Sequence, residues 1–322
     1  MLAAIVVGVC AQALAGCGGS PGAPPTMGAA SRSVPSQLPA VKQYTFATLD
    51  DQNDSTYNKL LGINNEGKLA GYYGNGSTGH PNRGYIVYRP YGPTNYRNEN
   101  YPGAVDTQVW ALNNKHAIAG LFIASTGQTF GFIQTRGVWT SYRNPHLRQG
   151  NGNVTELLGL NDAGLAVGFY EEGGVKYAFE LNEGTGKFHN LAPPSGNDSV
   201  ATGINGKGDI VGYLKLNSGG TVGFLLKGGT FNEFSYPGSS NTQPYAVNWQ
   251  DEIVGSYVDA SGNTHGFTLS NPLNLPQWQS IDEPQAVGVT VVTSLNNHHY
   301  LTGYFVDSDG HTNGFLATPQ SN

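Results

Sequence analysis

The chain has 322 residues, 16 basic against 22 acidic side chains, a net charge of −6 and only 12% charged residues. Without a basic cluster, nucleic acid is not an expected partner, and neither is direct docking on anionic lipid. Both cysteines, Cys10 and Cys17, stand near the N-terminus. The rest of the chain therefore forms no disulfide, and its length is ample for one domain with a buried core.

Residues 1–16 are apolar or small and carry no charge. They end in Leu14-Ala15-Gly16-Cys17, which resembles a bacterial lipobox: a cleaved signal peptide and a cysteine that receives lipid. The run is shorter than the roughly 20 residues of a spanning helix. Residues 17–40 hold Pro21, Pro24, Pro25, Pro35 and Pro39 among Gly, Ser and Ala, the composition of a tether. The expected address is export and lipid anchoring to the bacterial membrane, at the outer membrane or cell surface. Membrane contact would be through the lipid only.

Residues 41–322 read as one repeat domain. An apolar residue and an asparagine recur as Ile63-Asn64, Leu112-Asn113, Leu160-Asn161, Ile204-Asn205, Val247-Asn248 and Leu295-Asn296. Seven residues after each asparagine comes a glycine: Gly71, Gly120, Gly168, Gly212, Gly255 and Gly303. A small residue and an aromatic follow, as in Gly131-Phe132 and Ala178-Phe179. The copies contain short β-rich runs separated by turns, and no window has a helical period. The expected fold is all-β: a six-bladed β-propeller of four-stranded antiparallel blades.

Local chemistry supports that reading. Gly67, His116, Gly164, Gly208, Asp251 and His299 stand three residues after the asparagines. One left-handed backbone site accounts for all six. The mid-strand glycines imply close backbone approach or a bulge. Phe46, Tyr96, Trp139, Phe188, Phe231 and Trp278 form an aromatic ladder at the fourth strand, expected to fill space between blades. The last copy lacks a fourth strand, and the segment Tyr44–Asp50 precedes the first copy. The N-terminal strand is expected to complete the last blade and remove a free sheet edge.

The repeat phrase resembles a bacterial extracellular family named for its His-Ala-Phe motif. His265-Gly266-Phe267 is the nearest match; other copies put Arg83, Phe130, Tyr177, Val222 and Asn313 in the histidine slot. The resemblance covers roughly residues 45–317 and implies architecture but no catalytic residues.

Candidate sites are few. Asp307-Ser308-Asp309-Gly310 resembles the start of a calcium loop, but it stands where other copies have hairpin turns. His298-His299 is explained by the turn. No metal or other cofactor is expected, and no nucleophile elbow is present. Trp249 is the outlier at a turn position otherwise held by Asn, Asp or Gly, and could stack on a sugar. Asp50, Asp106 and Asp282 precede innermost strands; gathered at the axis they could hold a ligand or act as paired carboxylates. The leading expectation is a monomeric binding or scaffold module for a glycan or an envelope protein. The alternatives are a carbohydrate-active hydrolase or lyase and a purely structural envelope protein.

Overall fold

The computed structural model describes residues 41–148, 153–193, 198–217 and 219–320. Cys17, the signal segment and the tether lie outside them. Val41–Asn322 forms one compact unit. It is an all-β propeller whose one described departure from strands and turns is a 3-10 turn, Pro93–Asn95.

The first copy folds as β2 (Asn58–Ile63), β3 (Leu69–Tyr73), β4 (Arg83–Val87) and β5 (Tyr96–Asn98). The second gives β6 (Asp106–Leu112), β7 (Ile118–Ile123), β8 (Thr129–Thr135) and β9 (Val138–Tyr142). The third gives β10 (Val154–Leu160), β11 (Leu165–Glu172), β12 (Val175–Asn182) and β13 (Lys187–Asn190). The fourth gives β14 (Asp198–Ile204), β15 (Ile210–Lys215), β16 (Thr221–Lys227) and β17 (Thr230–Phe234). The fifth gives β18 (Thr242–Val247), β19 (Ile253–Val258), β20 (Thr264–Ser270) and β21 (Gln277–Ile281). The last gives β22 (Thr290–Leu295), β23 (Leu301–Val306) and β24 (Thr312–Pro319).

Hydrogen bonding groups these strands into four four-stranded sheets and one eight-stranded sheet. The larger sheet joins β6–β9 to β10–β13 through one parallel residue pair, Val154 with Thr129. The N-terminal strand β1 (Tyr44–Thr48) pairs antiparallel with β24 over its whole length. The first and last described strands thus share one sheet, which satisfies backbone groups that an open edge would leave exposed.

Each first strand carries a bulge at the same place, between Leu60 and Gly62, Val109 and Ala111, Leu157 and Gly159, Ala201 and Gly203, Pro244 and Ala246, and Val292 and Ser294. The residue before each bulge pairs with the repeated mid-strand glycine, as Leu157 does with Gly168. A Cβ at Gly168 would collide with the Glu156 carbonyl, and the same clash recurs at the other five glycines. The glycines are therefore required by the bulge, where the second strand crosses against the first.

The small residue before each third-strand aromatic has a different cause. A Cβ at Gly84 would lie 2.7 Å from Val109 Cγ2, and one at Gly131 2.8 Å from Leu157 Cγ, both in the following copy. Where the facing residue is itself small, Ala201, the slot holds Ala178, and both sit in one buried cluster. The aromatic ladder packs against the third-strand aromatic of its own sheet: Phe179 with Phe188 and Phe224 with Phe231 meet edge-on at 5.0 and 5.3 Å. These rings fill the sheet-to-sheet layers that hold most of the core.

Candidate functional site

The first strands all run from a loop end to an asparagine end. Asp50, Asp106 and Asp282 lie at the loop end; Trp249 lies at the asparagine end. The register shows this: Ile281, just before Asp282, pairs with Gly266, which pairs with Ser256, which pairs with Gln243 near the start of β18. Trp249 follows the other end of that strand. The structure therefore does not gather the four candidates into one site. Each acid is also occupied locally. Asp50 Oδ1 accepts from the Gly314 amide at 2.8 Å, and Asp106 Oδ1 from the Asn82 amide at 2.6 Å. Asp282 Oδ1 stands 2.7 Å from His265 Nδ1, whose Nε2 is 3.2 Å from Asp259 Oδ2. Partial burial alone would lower the His265 pKa; the bonds to Asp282 and Asp259 outweigh it and raise it. Asp51, Asp54 and Glu283 likewise cap amides of their own loops. Loop acids precede the first strands because carboxylates stabilise these turns, not because they converge on the axis.

A cup of about 310 Å³ lies at the asparagine end, lined by the first strands and turns of all six copies. Its floor is the set of residues that the bulges leave unpaired: Leu61, Trp110, Leu158, Thr202, Tyr245 and Thr293. The polar groups of that floor are already bonded. Thr202 Oγ1 donates to Pro244 O at 2.8 Å, Thr293 Oγ1 to Leu60 O at 2.7 Å, and Tyr245 OH to Gln243 Oε1 at 2.8 Å.

Two rings of hydrogen bonds surround the cup. In the inner ring each repeated asparagine donates Nδ2 to the carbonyl of the next. The bonds run Asn64 to Asn113 (3.4 Å), to Asn161 (3.0 Å), to Asn205 (3.0 Å), to Asn248 (3.2 Å), to Asn296 (3.5 Å) and back to Asn64 (3.1 Å). Each Oδ1 meanwhile accepts two amides of its own turn; Asn161 takes those of Ala163 and Leu165, both at 3.0 Å. The turn residues Gly67, His116, Gly164, Gly208, Asp251 and His299 all have positive φ, between 63° and 85°.

The outer ring uses the residue after each asparagine. The Asn65 amide donates to Asn114 Oδ1 and the Asn114 amide to Asp162 Oδ1, at 2.9 and 2.8 Å. The Trp249 amide donates to Asn297 Oδ1 and the Asn297 amide to Asn65 Oδ1, at 3.0 and 2.9 Å. The next acceptor for the Asp162 amide would be the side chain of residue 206, which is glycine; for the Gly206 amide it would be residue 249, which is tryptophan. The ring is open at these two consecutive junctions, and neither amide has an acceptor among the described residues.

Trp249 lies over this gap, 54% exposed. A Cβ on Gly206 would meet its ring at 2.9 Å. Lys207 Nζ is 5.6 Å from the ring centroid and is paired with Asp251 at 2.9 Å. Burial would raise the Asp251 pKa, but Lys227 and Lys207 override it and hold it below its ordinary value. Asp162 is the cup's one lining carboxylate, and its Oδ2 accepts from Asn114 Nδ2 at 2.8 Å. The pairing of carboxylates that a glycosidase needs is not assembled in the cup. Trp249 was legible as an outlier of its turn position; Gly206 and Asp162, in the same slot of neighbouring copies, gain meaning only beside it.

Glu156 was not legible. It sits deep in the molecule in β10 yet is partly reached by solvent. Burial pushes its carboxyl up to about 7, opposed by Lys176 and assisted by Glu171. At the asparagine end, Lys42 Nζ reaches Glu252 Oε1 at 2.9 Å and His299 Nδ1 at 2.8 Å, which ties the start of β1 to the fifth and sixth copies. Among the described residues no helix is long and apolar enough to cross a membrane, and no cluster of His, Cys, Asp and Glu has the geometry of a metal site.

Among solved structures the chain is similar to TolB from Acinetobacter baumannii, at 13% identity and a TM-score of 0.52 over 79% of this chain and 64% of that one. The chain thus spans less than two thirds of that protein. It is similar to a putative TolB from Agrobacterium tumefaciens, at 9% identity and a TM-score of 0.59 over 88% of this chain and 100% of that one. It is also similar to the Aleuria aurantia lectin, described as a six-bladed β-propeller that recognises fucose, at 8% identity and a TM-score of 0.51 over 82% and 95%. At such identities the likeness is one of fold. No family model matches the chain, and no curated protein sequence does.

Proposed function

We propose that this protein is a six-bladed propeller, exported and lipid-anchored to the bacterial envelope through Cys17, that works as a monomeric binding module through the cup at its asparagine end. Five four-stranded meanders and a sixth sheet, in which β1 completes β22–β24, support the blade number, since the eight-stranded sheet is two of those meanders held by one residue pair. The propeller likeness to TolB and to a fucose-binding lectin is consistent with a binding role and an envelope address. The repeat phrase resembles the His-Ala-Phe family, and that resemblance bears on architecture alone. The observation that carries the reading is the cup: a concave site at the low end of ligand-pocket volumes, with a bonded floor and unspent hydrogen-bonding groups at its rim.

The test is equilibrium binding of the full chain, in a sugar-free detergent, to solubilised envelope polysaccharides and to purified envelope proteins. Asn114→Trp, an exposed rim change, narrows the mouth and abolishes the binding seen with wild type. Equal binding by that variant, or no binding by wild type to either class, defeats the reading. Cys17→Ser moves the protein from the membrane to the soluble fraction; retention in membranes contradicts the anchor.

A further inference from the structure

We propose that the gap in the outer ring is a subsite for one neutral saccharide ring, stacked on Trp249 and bonded through an acceptor oxygen to the Asp162 and Gly206 amides. The proposal rests on the reading of the cup as a binding surface and adds the ligand class.

Three features of the gap point the same way. First, four of six junctions are closed by a side-chain oxygen, and the two open ones are adjacent, so two backbone donors face the same stretch of rim. A ligand oxygen there takes the place that a carboxamide oxygen holds in the other copies. Second, Gly206 has no backbone reason to be glycine, because its φ is outside the left-handed region. What excludes a side chain is the Trp249 ring. The glycine keeps the aromatic face lying beside the two amides. Third, Trp249 stays largely exposed although the molecule has a large apolar core that could have taken it. A large, rigid, amphipathic ring with polar groups at its edge suits a ligand that is apolar on one face and hydroxylated at its rim, which is a pyranose.

Charge decides between neutral and acidic sugars. The Asp162 carboxylate closes the junction next to the gap, where it accepts from Asn114, and Lys207, the cation near Trp249, is already paired with Asp251. A uronate would bring like charge against Asp162, whereas a neutral sugar can donate a hydroxyl to its free lone pairs.

The experiment titrates the full chain, in sugar-free detergent, with methyl α-glucopyranoside, methyl β-galactopyranoside and N-acetylglucosamine, with galacturonate as the acidic probe. Binding is followed by saturation-transfer NMR and tryptophan fluorescence. At least one neutral sugar is expected to saturate with a Kd on the order of 1 mM. Trp249→Ala weakens it at least about tenfold, or about 1.4 kcal/mol. Gly206→Asn also weakens it, since the new side chain supplies an acceptor to the Asp162 amide and displaces the ring. Thermal unfolding of both variants stays near wild type, because the position is exposed. Saturation by no neutral sugar, unchanged affinity in both variants, or tighter binding of galacturonate overturns the proposal. If Asn114→Trp still blocks an envelope ligand while no neutral sugar binds, the cup reading stands and the saccharide assignment falls.

Discussion

Asn161→Ala tests the inner ring. Asn161 is 5% exposed and makes three side-chain bonds: two accepted from the Ala163 and Leu165 amides and one donated to Asn205 O, all at 3.0 Å. Each is worth about 1 kcal/mol net. The Ala163 amide is near solvent and Asn205 O keeps the Gly208 amide at 3.1 Å, so water and the turn recover part of the loss. The expected destabilisation is about 2–3 kcal/mol, or a drop in Tm of roughly 3–5 °C for a domain of this size. Asn114→Ala, in the exposed outer ring, is the control and costs about 0.5 kcal/mol or less. Asn161→Asp keeps the two turn bonds but sets a carboxylate oxygen against Asn205 O; it is destabilising at neutral pH and recovers in acid, where the group can donate. The assay is urea unfolding by circular dichroism, with thermal scans in parallel. An Asn161→Ala variant within 0.5 kcal/mol of wild type, or no worse than Asn114→Ala, would refute the view that the asparagine ring holds the copies together.

Three other outcomes follow from the same structure. Glu156 is protonated in the folded state up to about 7 but ionises near 4.5 when unfolded, so stability falls as pH rises through that window, by up to about 3 kcal/mol at pH 8. Glu156→Gln removes that slope, and an unchanged slope in urea titrations between those limits shows the carboxyl is not the source. His265 is raised, so its contribution is full below about 6.5 and is lost as pH rises through its folded value; His265→Gln lowers Tm at pH 6 and leaves it unchanged at high pH. Removing residues 41–50 exposes the β24 edge and the Phe315 face that Phe46 covers at 5.6 Å, and thermal unfolding then occurs at clearly lower temperature with concentration-dependent aggregation.

Much of the architecture was legible because its causes are local. A backbone site of positive φ selects Gly, Asp or His, and so His116, Asp251 and His299 stand in register with three glycines in the sequence itself. The bulge forbids a Cβ, and so the mid-strand glycines recur. The missing fourth strand of the last copy and the spare strand at Tyr44–Thr48 fit together from their patterns alone. The repeated asparagine was legible as a turn residue, which its Oδ1 confirms; its Nδ2, aimed at the next copy, was not.

The sequence by itself determined the strands, their turns and the order in which they pair, since each depends on residues a few positions apart. Only the tertiary structure decided which groups share a space. Asn296 meets Asn64 across 232 positions, Asp50 and Trp249 go to opposite ends, and Gly206, unremarkable in its own turn, becomes the bed of a tryptophan from the next copy. Closing the ring brings together residues whose spacing carries no local signal. Hydrogen bonds left unmade around that ring are visible only once every other junction has been seen to close.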